Sequence, residues 1–292
     1  MNCDLHCHTL LSDGSLGIDE LISLSVANGV DTIAITDHDT FVATVRAKTI
    51  GERKGVTVLP ATELSAIDGE TGRPMHILCY LPEHPDKLEG ICKNNTVARN
   101  RSTMVMMTAV ARKINMNDFT LLTRRCASGA TCLYKQHIMR ALVECGLAES
   151  VYGAMHDKLF TPGGEDSVFQ KINFADVREV LDAIHMAEGI AVLAHPALYD
   201  SEDALDRLVE MGLDGIEVWH PTADAATSER LADYAAKHKL LMTGGSDFHG
   251  AYSKSAVTVG AYGTPSQQLK ELLGYKSKKK RQARRQESAA EQ

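Results

Sequence analysis

The chain opens with Asp4-Leu5-His6-Cys7-His8. Read as the tail of a short strand, this stretch sends both imidazoles to the same side of the backbone, because side chains on a strand alternate with a period of two. Two such rings can chelate a metal, although two histidines on a half-exposed strand are by themselves equally compatible with plain surface. Further nitrogen and oxygen ligands recur along the chain: Asp13, His38, Glu63, His76, His195, His220, Asp247 and His249. Each falls where an apolar run gives out. A single histidine in such a place is usually a hydrogen-bonded structural residue, but a ligand at nearly every expected strand end points to a multinuclear metal site. Mixed imidazole and carboxylate ligands suit Mn²⁺, Zn²⁺ or Fe²⁺ better than Mg²⁺ or Ca²⁺.

The elements that must position these residues alternate. Apolar runs at 2–7, 32–36, 56–60, 75–80, 190–193, 215–219 and 240–244 predict strands. Helical patterns at 18–27, 41–53, 174–188, 201–211 and 225–239, with one more after Pro265, predict helices between and after them. That rhythm is the signature of parallel βαβ units, and a barrel of them collects its chemistry at the C-terminal strand ends. From 88 to 171 the pattern is helical only, with helices expected near 88–114, 134–145 and 150–159. The expectation is therefore an α/β chain: a discontinuous seven-stranded β/α barrel over 1–85 and 173–275, an all-helical insertion or cap over 86–172, and a tail over 276–292.

With 44% apolar and 24% charged residues, 292 residues can bury a proper core. No run approaches the roughly 18 apolar residues of a membrane span, and no basic-then-apolar leader precedes the first strand, so the expected place is the cytoplasm with no membrane partner. Seven cysteines, none in a C-x-x-C pair, read as reduced thiols, and Cys7 should face away from its flanking histidines. The net charge of −7 is uneven: residues 276–292 hold seven Lys/Arg against two Glu, leaving about −12 on the body. An acidic body argues against a broad nucleic-acid-binding face. The basic tail reads as a disordered, solvated appendage, with RNA contact as the alternative.

Asp4 to Thr9, Thr36 to Thr40, Glu63, His76, Ala194-His195-Pro196 and Gly245-Ser246-Asp247-Phe248-His249 together resemble the polymerase-and-histidinol-phosphatase (PHP) family of metal-dependent phosphoesterases. The helical insertion is similar to that of the branch acting on nucleotides and ribose phosphates, including cyclic phosphodiesterases and 5′-end RNA exonucleases. The resemblance implies a distorted seven-stranded barrel with two or three divalent ions, Mn²⁺ foremost. It implies that His6, His8, Glu63 and Asp247 hold one ion, that Glu63 bridges to a second held by His76 and His195, and that Asp13, His38 and His249 hold a third. Ions held a few ångströms apart share a hydroxide, bring its pKa toward neutrality and clamp phosphoryl oxygens.

Around this set, His220 and Asp13 are the catalytic candidates. His220 serves as the acid that protonates the leaving group, or else as a structural histidine beside Trp219. Glu217 could orient a ligand from within its strand. Asp37 and Asp39 either orient imidazoles or cap the next helix. Lys135, His137 and Arg99 are the substrate-binding candidates, the first two at a helix start that favours an anion. In relatives that start usually reads Arg-Pro-His, and the Lys-Gln-His found here keeps a cation without the guanidinium fork. His84, His156, His185 and His238 read as structural or surface residues, and Arg124-Arg125 as solvent-facing.

The leading reading is hydrolysis of a small phosphorylated metabolite, a phosphomonoester or cyclic phosphodiester of a nucleotide or ribose phosphate. The alternatives are a 5′-3′ exoribonuclease on short RNA and a non-catalytic metal- or nucleotide-binding module.

Overall fold

Seven strands pair in strict chain order, β1 to β7, in the computed structural model, which describes residues 2–254 and 256–290. β1 (Cys3–Cys7), α1 (Ile18–Ala27), β2 (Thr32–Ile35) and α2 (Ala43–Lys54) are followed by β3 (Thr57–Ile67) and β4 (Pro74–Tyr80). Four helices come next: α3 (Glu89–Lys113), α4 (Phe119–Cys126), α5 (Lys135–Glu144) and α6 (Ala154–Phe160). The alternation resumes with α7 (Val177–Met186), β5 (Ile190–Leu193), α8 (Leu205–Glu210), β6 (Gly215–Trp219), α9 (Ala225–His238), β7 (Leu241–Gly244) and α10 (Ser266–Ala290). Beyond the end of β7, Phe248 bridges back to Cys7 in parallel, and the His8 N–H donates to the Phe248 carbonyl at 2.9 Å. The sheet thereby nearly closes into a distorted α/β barrel.

The expected all-parallel order fails at β3 and β4, which pair antiparallel. Thr62 to Ile67 continue the β3 strand beyond the expected stop at Pro60, and Asp68 to Arg73 then turn the chain back directly, with Asp68 accepting hydrogen bonds from Thr71 and the Glu70 N–H. Two of the predicted ligands are relocated by this hairpin. Glu63 lies in the middle of β3, opposite Leu78, and His76 lies near the start of β4, opposite Ser65. Neither is at a C-terminal strand end. They still reach the site because β3 overruns the end of β2, and the Asp39 N–H donates to the Glu63 carbonyl at 2.9 Å.

Helices wrap both flanks of the barrel. Leu21, Ile22 and Ala47 of α1 and α2 pack on Ile33 and Val58, while Val180, Ile184, Leu208 and Leu231 of α7, α8 and α9 pack on Ile77, Leu193 and Ile216. Cys7 belongs to the first of these flanks, facing α1. The four helices between β4 and α7 bury their own core of Met106, Val110, Phe119, Ile138, Leu142 and Phe160. α4, absent from the sequence expectation, is too short for a clear helical period but supplies the fully buried Phe119.

A third core joins Leu5, Leu59, Tyr80 and Val192 to Leu269 and Leu272 of α10. Burying each of these two leucines contributes about 2 kcal/mol, enough to seat the start of α10 firmly. The helix then runs on through the tail that was expected to be disordered. Lys276 and Lys280 pair with Glu83 at 3.4 and 3.1 Å, and Lys279 pairs with Asp214 at 3.2 Å. The acidic body thus answers the basic run within the chain. The last two residues of that tail, 291 and 292, lie outside the described residues. Among the described residues, no helix is long and apolar enough to cross a membrane.

Candidate metal centre and its cavity

One buried carboxylate sits among five imidazoles. Glu63 Oε2 lies 3.3 Å from His6 Nε2, 3.1 Å from His8 Nε2 and 3.2 Å from His38 Nδ1. Its Oε1 lies 2.7 Å from His76 Nδ1 and 2.8 Å from His195 Nε2. Asp247 Oδ1 stands 3.3 Å from His6 Nε2 and 3.2 Å from His8 Nε2. Asp13 Oδ1 is 3.3 Å from His249 Nε2, and its Oδ2 is 3.9 Å from His38 Nε2. The ligand atoms of His6, His8, Glu63 and Asp247 lie within 4.8 Å of one another, as do those of His38, Glu63 and His76 and those of His8, Asp13, His38 and His249. A further group, His6, Glu217 and His220, was not anticipated as a cluster.

Several of these atoms are buried without a hydrogen-bond partner, among them His6 Nε2, His8 Nε2, His38 Nδ1 and Asp13 Oδ1. Stranded nitrogen and oxygen lone pairs are costly unless something accepts them, and a divalent cation is what this donor set fits. The protonation pattern agrees. The Glu217 carboxylate can only accept, so His6 Nδ1 at 2.9 Å carries a proton and Nε2 is the nitrogen left to face the centre. Ser12 donates to Asp37 at 2.6 Å, so its oxygen accepts from His8 Nδ1 at 3.3 Å. His249 Nδ1 donates to the Asp247 carbonyl at 2.7 Å. All three rings thus turn Nε2 inward.

Charge is concentrated here. Burial opposes ionisation of His6, yet Glu217, Glu63 and Asp247 outweigh it and hold its pKa well above the usual range. His8 is similarly pushed up to about 10, with burial again overcome by Asp247 and Glu63. For His38 burial prevails over Glu63 and Asp13, and the ring is held well below its ordinary value. Glu63 itself stays far below the normal carboxylate range despite its burial, held there by His76, His38 and His6.

The positions of the remaining candidates are mixed. His220 Nε2 faces Asp247 Oδ2 at 3.4 Å, and its Nδ1 accepts the Thr222 N–H at 3.1 Å. Asp37 and Asp39 do not cap α2, whose start has no side-chain cap. Asp37 binds Thr9 and Ser12, whereas Asp39 binds Ser65, Asn95 and Arg99 and so ties α3 to the barrel. Arg99 is only 8% exposed, anchored by one nitrogen on Asp39 at 3.0 Å, with Nε unpartnered and its plane against Tyr134 and Phe174.

His137 departs from expectation, because it turns away from the site. Its Nδ1 accepts the Tyr134 N–H at 3.1 Å, closing the start of α5, and burial lowers its pKa to about 4. Gln136, beside it, was not among the candidates. It donates to Asp13 Oδ2 at 2.9 Å. Tyr199 was also missed; its ring stands edge-on to both His76 and His195. His156, expected to be a structural or surface residue, lines the cavity.

That cavity, of about 690 Å³, is bounded by His38, His76, Asp247 and His249 from the barrel. Arg99, Lys135, Lys171 and Lys254 also line it, together with Tyr134, Phe160 and Phe169. Lys135 Nζ rests 5.8 and 5.9 Å from the Phe160 and Phe169 ring centres, and burial, then Arg99, lowers its pKa.

Residues 4–187 match the PHP domain family. The chain is 35% identical over 255 residues to the phosphoribosyl 1,2-cyclic phosphate 1,2-diphosphodiesterase of Eggerthella lenta, covering 86% of this chain and 95% of that one. It is 31% identical over 255 residues to the 5′-3′ exoribonuclease Rnm of Escherichia coli, covering 84% of each. A solved structure from Bifidobacterium adolescentis, named as a metal-dependent phosphoesterase, superposes with a TM-score of 0.82 at 30% identity over 93% of this chain and 95% of that one.

Proposed function

The chain belongs to the PHP family of metal-dependent phosphoesterases, and from that premise we propose that it hydrolyses a cyclic phosphodiester or phosphomonoester of a ribose phosphate or nucleotide. The observation that carries this reading is the pairing of stranded imidazole and carboxylate lone pairs with a cavity that also holds cations lacking a carboxylate partner. Among the described residues, Lys135, Lys171 and Lys254 form no ion pair, although they line the same space as Asp247 and His249. Such a space suits a small ester bearing a second anionic group, as the printed name of the Eggerthella lenta relative describes for its own substrate.

His6, His8, Glu63 and Asp247 would hold one divalent ion, Glu63 with His76 and His195 a second, and Asp13, His38 and His249 a third; Mn²⁺ is the ion we favour. Such ions, when bound, lower the pKa of water and offset phosphoryl charge. The chain's own groups do the rest. Glu217 and Ser12 fix the rings of His6 and His8. His220, whose Nδ1 accepts from Thr222, keeps its proton on Nε2 and can pass it to a leaving oxygen. Arg99, fixed by Asp39, lines the cavity as a buried cation against Tyr134 and Phe174, and residues 86–172 act as the cap that brings Arg99 and Lys135 to the barrel. Seven unpaired thiols suit a reducing, cytoplasmic setting.

The test is phosphate release by the Mn²⁺-loaded protein on a panel of ribose cyclic phosphate, nucleoside mono- and bisphosphates and 5′-phosphorylated short RNA, with His6→Ala as control. Release from small esters that vanishes in the variant is expected. The identity to Rnm favours a second reading, 5′-3′ cleavage of short RNA. Cleavage of RNA alone, with a steep salt dependence, would replace the first reading with that one. Three lysines at the root of the basic tail are already paired within the chain, which weighs against it.

A further inference from the structure

Gln136 occupies the second position of α5 and reaches from the insertion into the barrel. Its Nε2 donates to Asp13 Oδ2 at 2.9 Å and to the Tyr152 hydroxyl at 3.0 Å. Asp13 is 4% exposed, and its two oxygens are not equivalent. Oδ2 is taken by the amide. Oδ1 has no hydrogen-bond partner and stands 3.3 Å from His249 Nε2 and 3.7 Å from His8 Nδ1. A carboxylate only accepts, so the nitrogen end of the amide must face it, and the geometry has one sense. The donor is also neutral. A lysine or arginine in this place would bind Asp13 more strongly but would cancel the charge that attracts a cation and repel that cation in turn. An amide fixes the carboxylate's rotation and leaves its charge intact.

We infer that Gln136 is a positioning residue for the ion assigned to Asp13, His38 and His249: by occupying Oδ2 it leaves Oδ1 as the one ligating oxygen of Asp13 and sets the affinity of this position separately from the two centred on Glu63. The insertion thereby completes a metal position built on the barrel. This inference rests on the reading that the Asp13 group holds an ion.

The experiment is a titration of metal-free protein with Mn²⁺, with free Mn²⁺ followed by electron paramagnetic resonance, for the wild type, Gln136→Met, Gln136→Ala and Asp13→Asn. Methionine matches the length of glutamine without its N–H, and alanine serves if the methionine variant does not fold. Loss of an orienting partner of a ligand typically weakens metal binding by about 10- to 100-fold. That loss is expected for one ion alone in both Gln136 variants, with the others unchanged, and Asp13→Asn should lose that same ion. Wild-type binding in both Gln136 variants, with an ion lost in Asp13→Asn, overturns the role of Gln136 only. Equal weakening of every ion also overturns it. Wild-type binding by Asp13→Asn overturns the reading beneath it.

Discussion

His6 and Glu217 face each other inside the barrel with Nδ1 2.9 Å from Oε1, and both residues are fully buried. The contact joins β1 to β6, and the other oxygen of Glu217 accepts the His195 N–H at 2.8 Å. One carboxylate therefore fixes a ring at one side of the centre and the backbone of another ligand beside it. Glu217→Gln keeps the shape but offers an amide whose N–H can face the ring, freeing the opposite tautomer. We expect metal affinity and kcat to fall about 10- to 100-fold, measured by metal content after gel filtration and by phosphate release, with unfolding temperature little changed.

The reach of sequence reasoning can be seen in these same residues. His6, His8, Asp13, His195, Asp247 and His249 converge as their placement at the ends of apolar runs implied, because chain order and strand order coincide. Glu63 and His76 arrive by a different route, since nothing in a buried apolar run distinguishes a parallel neighbour from the return arm of a hairpin. The roles of Gln136 and Tyr199 left no signal, because they depend on which way a cap helix and a loop are turned. His137 was misread for a related reason. A helix start suits an anion, but it also suits a side chain that accepts the orphan N–H of the cap residue, and here the side chain took that place.

Asp39 and Arg99 form the latch between the barrel and α3. Asp39 accepts from Arg99 at 3.0 Å, from Asn95 at 2.8 Å and from the Ser65 N–H at 3.0 Å. Removing one partner of a buried pair leaves the other charge uncompensated, at a cost of about 3 to 5 kcal/mol. Asp39→Ala should lose about that much stability in urea unfolding, and Arg99→Met should lose less, because the Asp39 carboxylate keeps its hydrogen bonds from Asn95 and Ser65.

His137 predicts how stability depends on pH. Its pKa in the folded chain is lowered to about 4 by burial, whereas unfolded histidine titrates near ~6.5. Between these values the unfolded chain binds the extra proton, so stability is fully present above about pH 6.5 and is lost as pH falls through that window toward 4. His137→Gln keeps an acceptor for the Tyr134 N–H at the third helical position but cannot titrate. The variant should fold at pH 7 and show a flatter decline in unfolding free energy between pH 6.5 and 4. An unchanged slope would assign the acid sensitivity to other groups.

Lys135 tests the second anionic group of the substrate. The ammonium lies over Phe160 and Phe169 at 5.8 and 5.9 Å, half-buried in the cavity and without a carboxylate partner among the described residues. A cation held this way costs desolvation, and a substrate anion is the natural partner to offset it. A hydrogen bond to a charged group contributes about 1.5 to 3 kcal/mol, or roughly 10- to 150-fold in kcat/KM. Lys135→Met should lose that factor on a ribose cyclic phosphate carrying a separate phosphate, mostly through KM, and little on the same ring without it. Phosphate-release kinetics on the two compounds make the comparison. An equal loss on both would assign Lys135 to the reacting phosphoryl group, and no loss on either would return it to packing against the two phenylalanines.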